Sequence, residues 1–190
     1  MWDTFWLKPE KARKLLRTHT SPVQMRYTET HAPPIRIIVP GKVFRHEATD
    51  ATHEAQFYQL EGLMIEEKVS LANLKWVLEE YFGKLFETKT TIRFRPSYFP
   101  FVEPGVEIDM ACFKCAGAGR LENKDCSTCK TTGWIEIMGA GMVHPKVLRA
   151  CNIDPNEYSG FAFGLGLDRL VMLKYEIDDV RKLYNGELTF

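Results

Sequence analysis

The hydrophobic positions change period several times along the chain, and each change marks an element. IRIIVPGKVFRHEA reads as two short extended pieces split by Pro40-Gly41. The polar TDATHEA that follows reads as a turn, and QFYQLEGLMIEE alternates as a half-buried strand does. These segments predict a long antiparallel hairpin. From Ser70 the period lengthens. Leu71, Leu74, Val77, Leu78, Tyr81, Phe82 and Leu85 form the stripe of an amphipathic helix, with Ser70 as its cap. TIRFRPSYFPFVE, VEIDMAC and GWIEIMGAG are extended, and HPKVLRACN is a short helix. YSGFAFGLG is a strand running into the helix LDRLVMLKYEI. Residues 1–34, broken by Pro9, Pro22, Pro33 and Pro34, read as irregular, and no internal repeat stands out. The pattern predicts an α+β fold, a mainly antiparallel sheet with a few helices against it.

Composition narrows the class. With 190 residues, 45% of them hydrophobic, the chain can bury one real core. The 25 basic and 25 acidic side chains cancel, so any nucleic-acid contact has to rest on a local patch. No apolar run is long enough to span a bilayer, and MWDTFWLKPEK has no secretory pattern, so the expected compartment is the cytoplasm. Four of the five cysteines form two CxxC pairs, which in a reducing compartment read as metal ligands before disulfides. Cys151, left over, reads as a small buried side chain.

Cys112, Cys115, Cys126 and Cys129 follow C-x2-C-x10-C-x2-C spacing. Four soft thiolates suit tetrahedral zinc; a redox dithiol pair is the competing reading. The insert, 112–130, lies between two strands where a plain turn would serve. It is therefore expected to be a structural zinc knuckle at a loop tip, away from any chemistry. Its Lys114, Arg120, Lys124 and Lys130 could touch a nucleic acid or a neighbouring subunit, or be solvated lysines and arginine around the metal.

The hairpin VFRHEATDATHEAQFYQLEG carries two His-Glu pairs. His46 and His53 stand seven apart in a strand and its loop, which is poor spacing for a metal box. Alternation instead places Arg45, Glu47, Phe57, Gln59 and Glu61 along one wall. A cation, two acids, an amide and an aromatic ring suit a ligand with a phosphate, an amine and a flat base.

FRHE, its loop and QFYQLEG resemble motif 2 of the class II aminoacyl-tRNA synthetases, and GFAFGLGLDRL resembles motif 3, with Gly164, Gly166 and Arg169 in place. RTHTSPVQ, ATDATHEAQF, FPFVEPG, GAGMVHPKVL and GFAFGLGLDR together are similar to the catalytic α subunits of bacterial-type phenylalanyl-tRNA synthetases. The cysteine insert and Lys8–Lys14 fall outside the resemblance. It implies a class II antiparallel sheet over residues 1–190, entered at the end of motif 1 and thus N-terminally truncated, without the motif 1 helix or a coiled-coil arm. The implied reaction joins ATP and phenylalanine into an adenylate and passes the acyl group to tRNA(Phe). Mg²⁺ is the implied cofactor and a β subunit the implied partner, in a heterotetramer.

Residue by residue, the resemblance implies that Arg45 grips the α-phosphate and Glu47 accepts from the adenine amine. Phe57 would stack on the base, His53 approach the phosphates, and Arg169, after Gly164 and Gly166, reach the terminal phosphate. His19, Ser21, Gln59 and Glu61 would hold the ends of the amino acid, with Trp2 beside them. Phe99, Phe101 and the small Ala162 would form the side-chain pocket, and Glu103 would help hold Mg²⁺. A second reading stays open: a non-catalytic synthetase-like module that binds a nucleotide or amino acid and regulates or scaffolds. Retention of both arginines favours the enzyme.

Overall fold

The computed structural model describes residues 4–8 and 13–186. Six strands form one antiparallel sheet: β1 (Ile35–Phe44), β2 (Gln56–Glu66), β3 (Ile92–Phe99), β4 (Val102–Ala111), β7 (Trp134–Val143) and β8 (Ser159–Gly166). Their order is β1-β2-β8-β7-β4-β3, so the hairpin strand β2 meets the late strand β8 and β1 lies at the edge. Two-residue strands, β5 (Arg120–Leu121) and β6 (Lys124–Asp125), make a separate hairpin inside the cysteine segment.

β1 is one continuous strand, contrary to the break expected at Pro40-Gly41. β1 is an edge strand, where a proline without an N–H is tolerated. Gly41 is needed for proximity, since a Cβ there would meet the Thr20 methyl at 3.0 Å.

Helix α2 (Leu71–Phe86) starts with a full capping box between Ser70 and Asn73 and buries Leu74, Leu78 and Phe82. This stripe packs on one sheet face with Ile108, Met110, Ile135 and Phe161 in the main core. The same core takes in all four clustered cysteines. On the other face, α3 (Pro145–Ala150) covers only one end, packing Leu148 with Ile35, Leu63 and Ile65. The rest of that face stays open as a cleft. Helix α4 (Leu167–Tyr175) follows β8 directly and is followed by a 3-10 turn, Val180–Leu183. Among the described residues, no helix is long and apolar enough to cross a membrane.

Residues 1–34 are not all irregular. Helix α1 (Ser21–Thr28) opens on Pro22, which fits the first turn because its missing N–H has no helical partner there. It carries no apolar stripe; its buried side chains are Gln24 and Thr28. That polar buried face hid the helix from a hydrophobic reading.

Phe82 is fully buried at the centre of the α2 interface. Phe82→Ala should lower unfolding stability by about 3–5 kcal/mol, read as a shift of the denaturant midpoint.

Candidate active site

The open face is built by register. Gln59 pairs with Gly166, Glu61 with Gly164 and Leu63 with Ala162, so these six residues share one side of β2 and β8. A Cβ at Gly164 would press on Glu61 at 3.2 Å and on the Gln59 amide at 3.3 Å. At Gly166 it would enter open space, and that space belongs to the cleft.

Glu61 is 5% exposed and organises the near wall. Its carboxylate accepts from the Thr20 N–H at 3.1 Å and the Ser21 hydroxyl at 2.6 Å. This ties the THTSP loop and the start of α1 to β2. Arg45 continues past the end of β1, anchored where its N–H donates to Ala55 O at 2.9 Å. Its Nε donates to Thr18 O at 3.2 Å, and its guanidinium lies 4.9 Å from the Phe57 ring centroid. Burial pushes the Arg45 pKa down, opposed by Glu47 and Glu61, yet a guanidinium stays charged.

Two cavities meet here. One, of about 430 Å³, is lined by His19, Ser21, Gln24, Gln59, Glu61 and Ala162, among others, and by both Phe99 and Phe101. The other, of about 580 Å³, is lined by Glu47, His53, Asp168 and the outer side of α4. Arg45, Phe57, Gly166 and Arg169 line both, so they form the seam.

Phe101 lies in the turn between β3 and β4, so strand alternation does not place it beside Phe99. A register shift near Ser97/Phe99 and the turn bring both rings to the cavity. The Phe101 ring stands 6.1 Å from the His19 ring. His53 is held in the hairpin loop by Asp50, Nδ1 to Oδ1 at 3.0 Å. His46 points elsewhere, edge-on to Phe5 at 5.1 Å. Glu103 is exposed at the start of β4 and lines neither cavity; the carboxylates on the wall of the smaller cavity are Glu61, Glu107 and Glu136, the last two paired with Arg95. Trp2 lies outside the described residues.

Sequence reasoning missed Gln24. Its Nε2, and the Oε1 of Gln59, are buried without a hydrogen-bond partner among the described residues. Both residues line the smaller cavity. A donor and an acceptor left unpaired at a cavity wall suit a ligand that carries both a carboxylate and an ammonium. The only signal for Gln24 was its place in SPVQ.

The cysteines are free thiols with all four sulfurs within 4.8 Å of one another. Cys112 and Cys126 are 3.8 Å apart, Cys115 and Cys129 3.7 Å. A tetrahedron with Zn–S bonds of about 2.3 Å has edges of about 3.8 Å. The Cys129 N–H holds the Cys126 thiol down at about 6, against its burial, while burial pushes Cys112 up to about 12.

The knuckle does contain a repeat. CFKCAGAG and CSTCKTTG superimpose in pattern, with Cys112 N–H on Gly133 O at 2.9 Å and Cys126 N–H on Gly119 O at 3.0 Å. Gly119 and Gly133, both at φ +75, leave no room for a side chain: a Cβ on either would sit 2.2 Å from the opposite half's backbone. Nor is the knuckle a remote loop tip. Its sulfurs sit in the main core, and Ser127, Thr128, Lys114 and Lys130 line the larger cavity.

An antiparallel sheet of this order, with a motif 2 hairpin and a strand running into a helix over one cleft, is the architecture of a class II aminoacyl-tRNA synthetase core. The chain matches the family tRNA synthetases class II core domain (F) over residues 1–190, and it belongs to that family. The phenylalanine–tRNA ligase alpha subunit of Alkaliphilus metalliredigens is 53% identical, aligned over all of this chain and 53% of its own length. The alpha subunit from Pseudomonas fluorescens is 50% identical over the same shares. The chain thus spans about half the length of these relatives. The alignments run end to end, across the cysteine segment and residues 8–14. A pyrrolysyl-tRNA synthetase structure from Desulfitobacterium hafniense shares the fold, with TM-score 0.61 at 19% identity, covering 97% of this chain and 58% of that one.

Burial lowers the His19 pKa; Glu61 opposes this and Arg45 adds to it. The imidazole is therefore neutral at neutral pH. Its stabilising contribution is full above its ordinary value of 6.5 and is lost as pH falls below that. The melting temperature of the wild-type chain should fall more steeply below pH 6.5 than that of His19→Asn. Equal slopes would assign the acid lability to other groups.

Native mass spectrometry should find a single metal ion on the reduced chain, lost in Cys126→Ser. A mass corresponding to the bare polypeptide would leave the sulfur cluster without its metal role.

Proposed function

We propose that this chain is the adenylate-forming core of a phenylalanine–tRNA ligase. The carrying observation is the pair of cavities sharing Arg45, Phe57, Gly166 and Arg169. An amino acid in the smaller cavity and a nucleotide at the seam would place a carboxylate next to an α-phosphate. The names of the relatives support the same reading.

Glu61 and the Gln59 carbonyl face the ammonium, joined by the Ser21 oxygen, whose proton is given to Glu61 and whose lone pairs are left to accept; the Gln24 amide faces the carboxylate end, with neutral His19 beside it. The phenyl ring enters between Phe99 and Phe101 and stops at Ala162, near Leu63, Val143 and Val147. That floor offers no partner for a hydroxyl, which rejects tyrosine by about 10²-fold. Phe57 stacks on the adenine, Glu47 accepts from its amine, and Arg169 and His53 face the phosphates. One carboxylate oxygen of phenylalanine forms a bond to the α-phosphorus as the bond to the β-phosphate oxygen breaks. Pyrophosphate leaves with that electron pair, and no proton moves. Arg45 is bidentate and permanently charged, suited to the charge that builds on the α-phosphate. An oxygen-ligated Mg²⁺ would neutralise phosphate charge when bound; Glu107 and Glu136 would hold it only by releasing Arg95, which pairs with them at 2.9 and 3.0 Å, and the exposed Glu103 is the carboxylate the resemblance implies. The sulfur geometry fits structural zinc.

The second half-reaction requires tRNA(Phe), and a β-type subunit is the proposed partner. The edge strands β1 and β3 carry the exposed Ile38 (68%) and Tyr98 (81%), while the far end of β1 is covered where Arg17 hydrogen-bonds with Lys42 and Phe44. The cytoplasm is the proposed site of action.

Arg45→Ala should abolish phenylalanine-dependent ATP–pyrophosphate exchange, assayed with and without a β-type subunit, while circular dichroism stays native. Exchange at the wild-type rate would remove Arg45 from the phosphate. Ala162→Gly should admit para-substituted phenylalanines in the same assay; failure to activate any of them would displace the pocket floor.

A further inference from the structure

The knuckle's two halves have diverged in what they face. In the first half, Phe113 stacks on Phe86 at 4.9 Å and 12°, which serves the core. In the second, Ser127, Thr128 and Lys130 stand on the larger cavity. Coordinating a metal needs only the four sulfurs, so these three side chains are not required by it. Lys114 also reaches the cavity, but it pairs with Glu176 at 3.1 Å and so fastens the knuckle to α4.

The cavity's charges then sort themselves. Of its carboxylates, Glu176 is paired with Lys114, and Asp178 with Lys182 at 2.5 Å. Asp168 accepts from the Tyr184 hydroxyl at 2.6 Å and the Tyr58 N–H at 3.2 Å. Glu54 accepts from the Thr49 hydroxyl at 3.3 Å and the Ala55 N–H at 2.8 Å, and Glu47 is left for the adenine amine. Two cations lining the cavity, Arg169 on α4 and Lys130 on the knuckle, make no ion pair among the described residues.

Direction of attack supplies the remaining step. In an in-line displacement the leaving oxygen departs opposite the entering one. The amino acid enters from the smaller cavity and Arg45 sits at the seam, so the β- and γ-phosphates lie in the larger one.

We propose that the metal knuckle forms a wall of the nucleotide site and that Lys130 binds the pyrophosphate end of ATP, opposite Arg169. This rests on the nucleotide reading given above and adds a residue to it. A lysine ammonium is a compact donor suited to a mobile polyphosphate tail. The metal, by holding Cys126 and Cys129, holds the segment that carries Lys130.

The test is calorimetric titration of the metal-loaded chain with ATP and, separately, with AMP. Lys130→Ala should weaken ATP by about tenfold, leave AMP within about twofold, and keep its metal content; Lys130→Arg should restore most of the loss. Equal weakening of ATP and AMP would make the residue structural, and unchanged ATP binding would remove it from the phosphates. Loss of tRNA binding alone, with ATP unaffected, would assign Lys130 to nucleic acid and overturn the proposal. Arg169→Ala separates the two levels. If it weakens ATP and Lys130→Ala does not, only the knuckle inference falls. If wild type binds neither ATP nor AMP, the nucleotide reading itself falls.

Discussion

The buried carboxylate of Glu61 is the constraint on which the site depends. It sits opposite a glycine, in a sheet position where a larger neighbour would displace it. From there it accepts two hydrogen bonds from the loop that opens α1. Hydrogen bonds to a charged acceptor contribute about 1.5–3 kcal/mol each, and here they offset the desolvation of a carboxylate that is almost wholly enclosed. They act with the Arg17 contacts to Lys42 and Phe44 and the packing of Met25 to hold Thr20, Ser21 and Gln24 over the sheet. One wall of the smaller cavity thus depends on a strand-to-loop contact.

The same face carries the division between the two cavities. Arg45 and Phe57 are contributed by the ends of the hairpin, Gly166 and Arg169 by the junction of β8 and α4. These four meet because β8, formed nearly a hundred residues later, inserts between β2 and β7. A cation stacked against an aromatic ring next to a glycine with open space leaves a slot with one charged and one flat surface. Its charge and shape are set by the fold, the preorganisation on which the proposed group transfer would draw.

The cysteine knuckle reaches both the main core and the larger cavity. Its sulfurs pack with α2 in the core, while its second loop borders the larger cavity beside α4. A metal there would brace both at once. Small metal sites fold their surroundings because the binding free energy is also folding free energy.

Periodicity made most of the architecture legible. The α2 stripe, the hairpin, the β8–α4 junction and the sulfur ligand set all stand in local spacing, and local spacing survives in any fold that uses these residues. The chain's own order of residues determined which chemical groups were available: two arginines, the acids, the aromatic pair and four thiols. Tertiary structure decided where they meet. It converted a polar octapeptide into α1 and kept Pro40 within an edge strand. It turned Glu107 and Glu136 toward the cleft and left Glu103 exposed, and it brought Lys130 to the edge of a cavity shared with the hairpin loop and α4. These outcomes depend on register, bulges and contacts between distant segments, for which a one-dimensional pattern contains no distance.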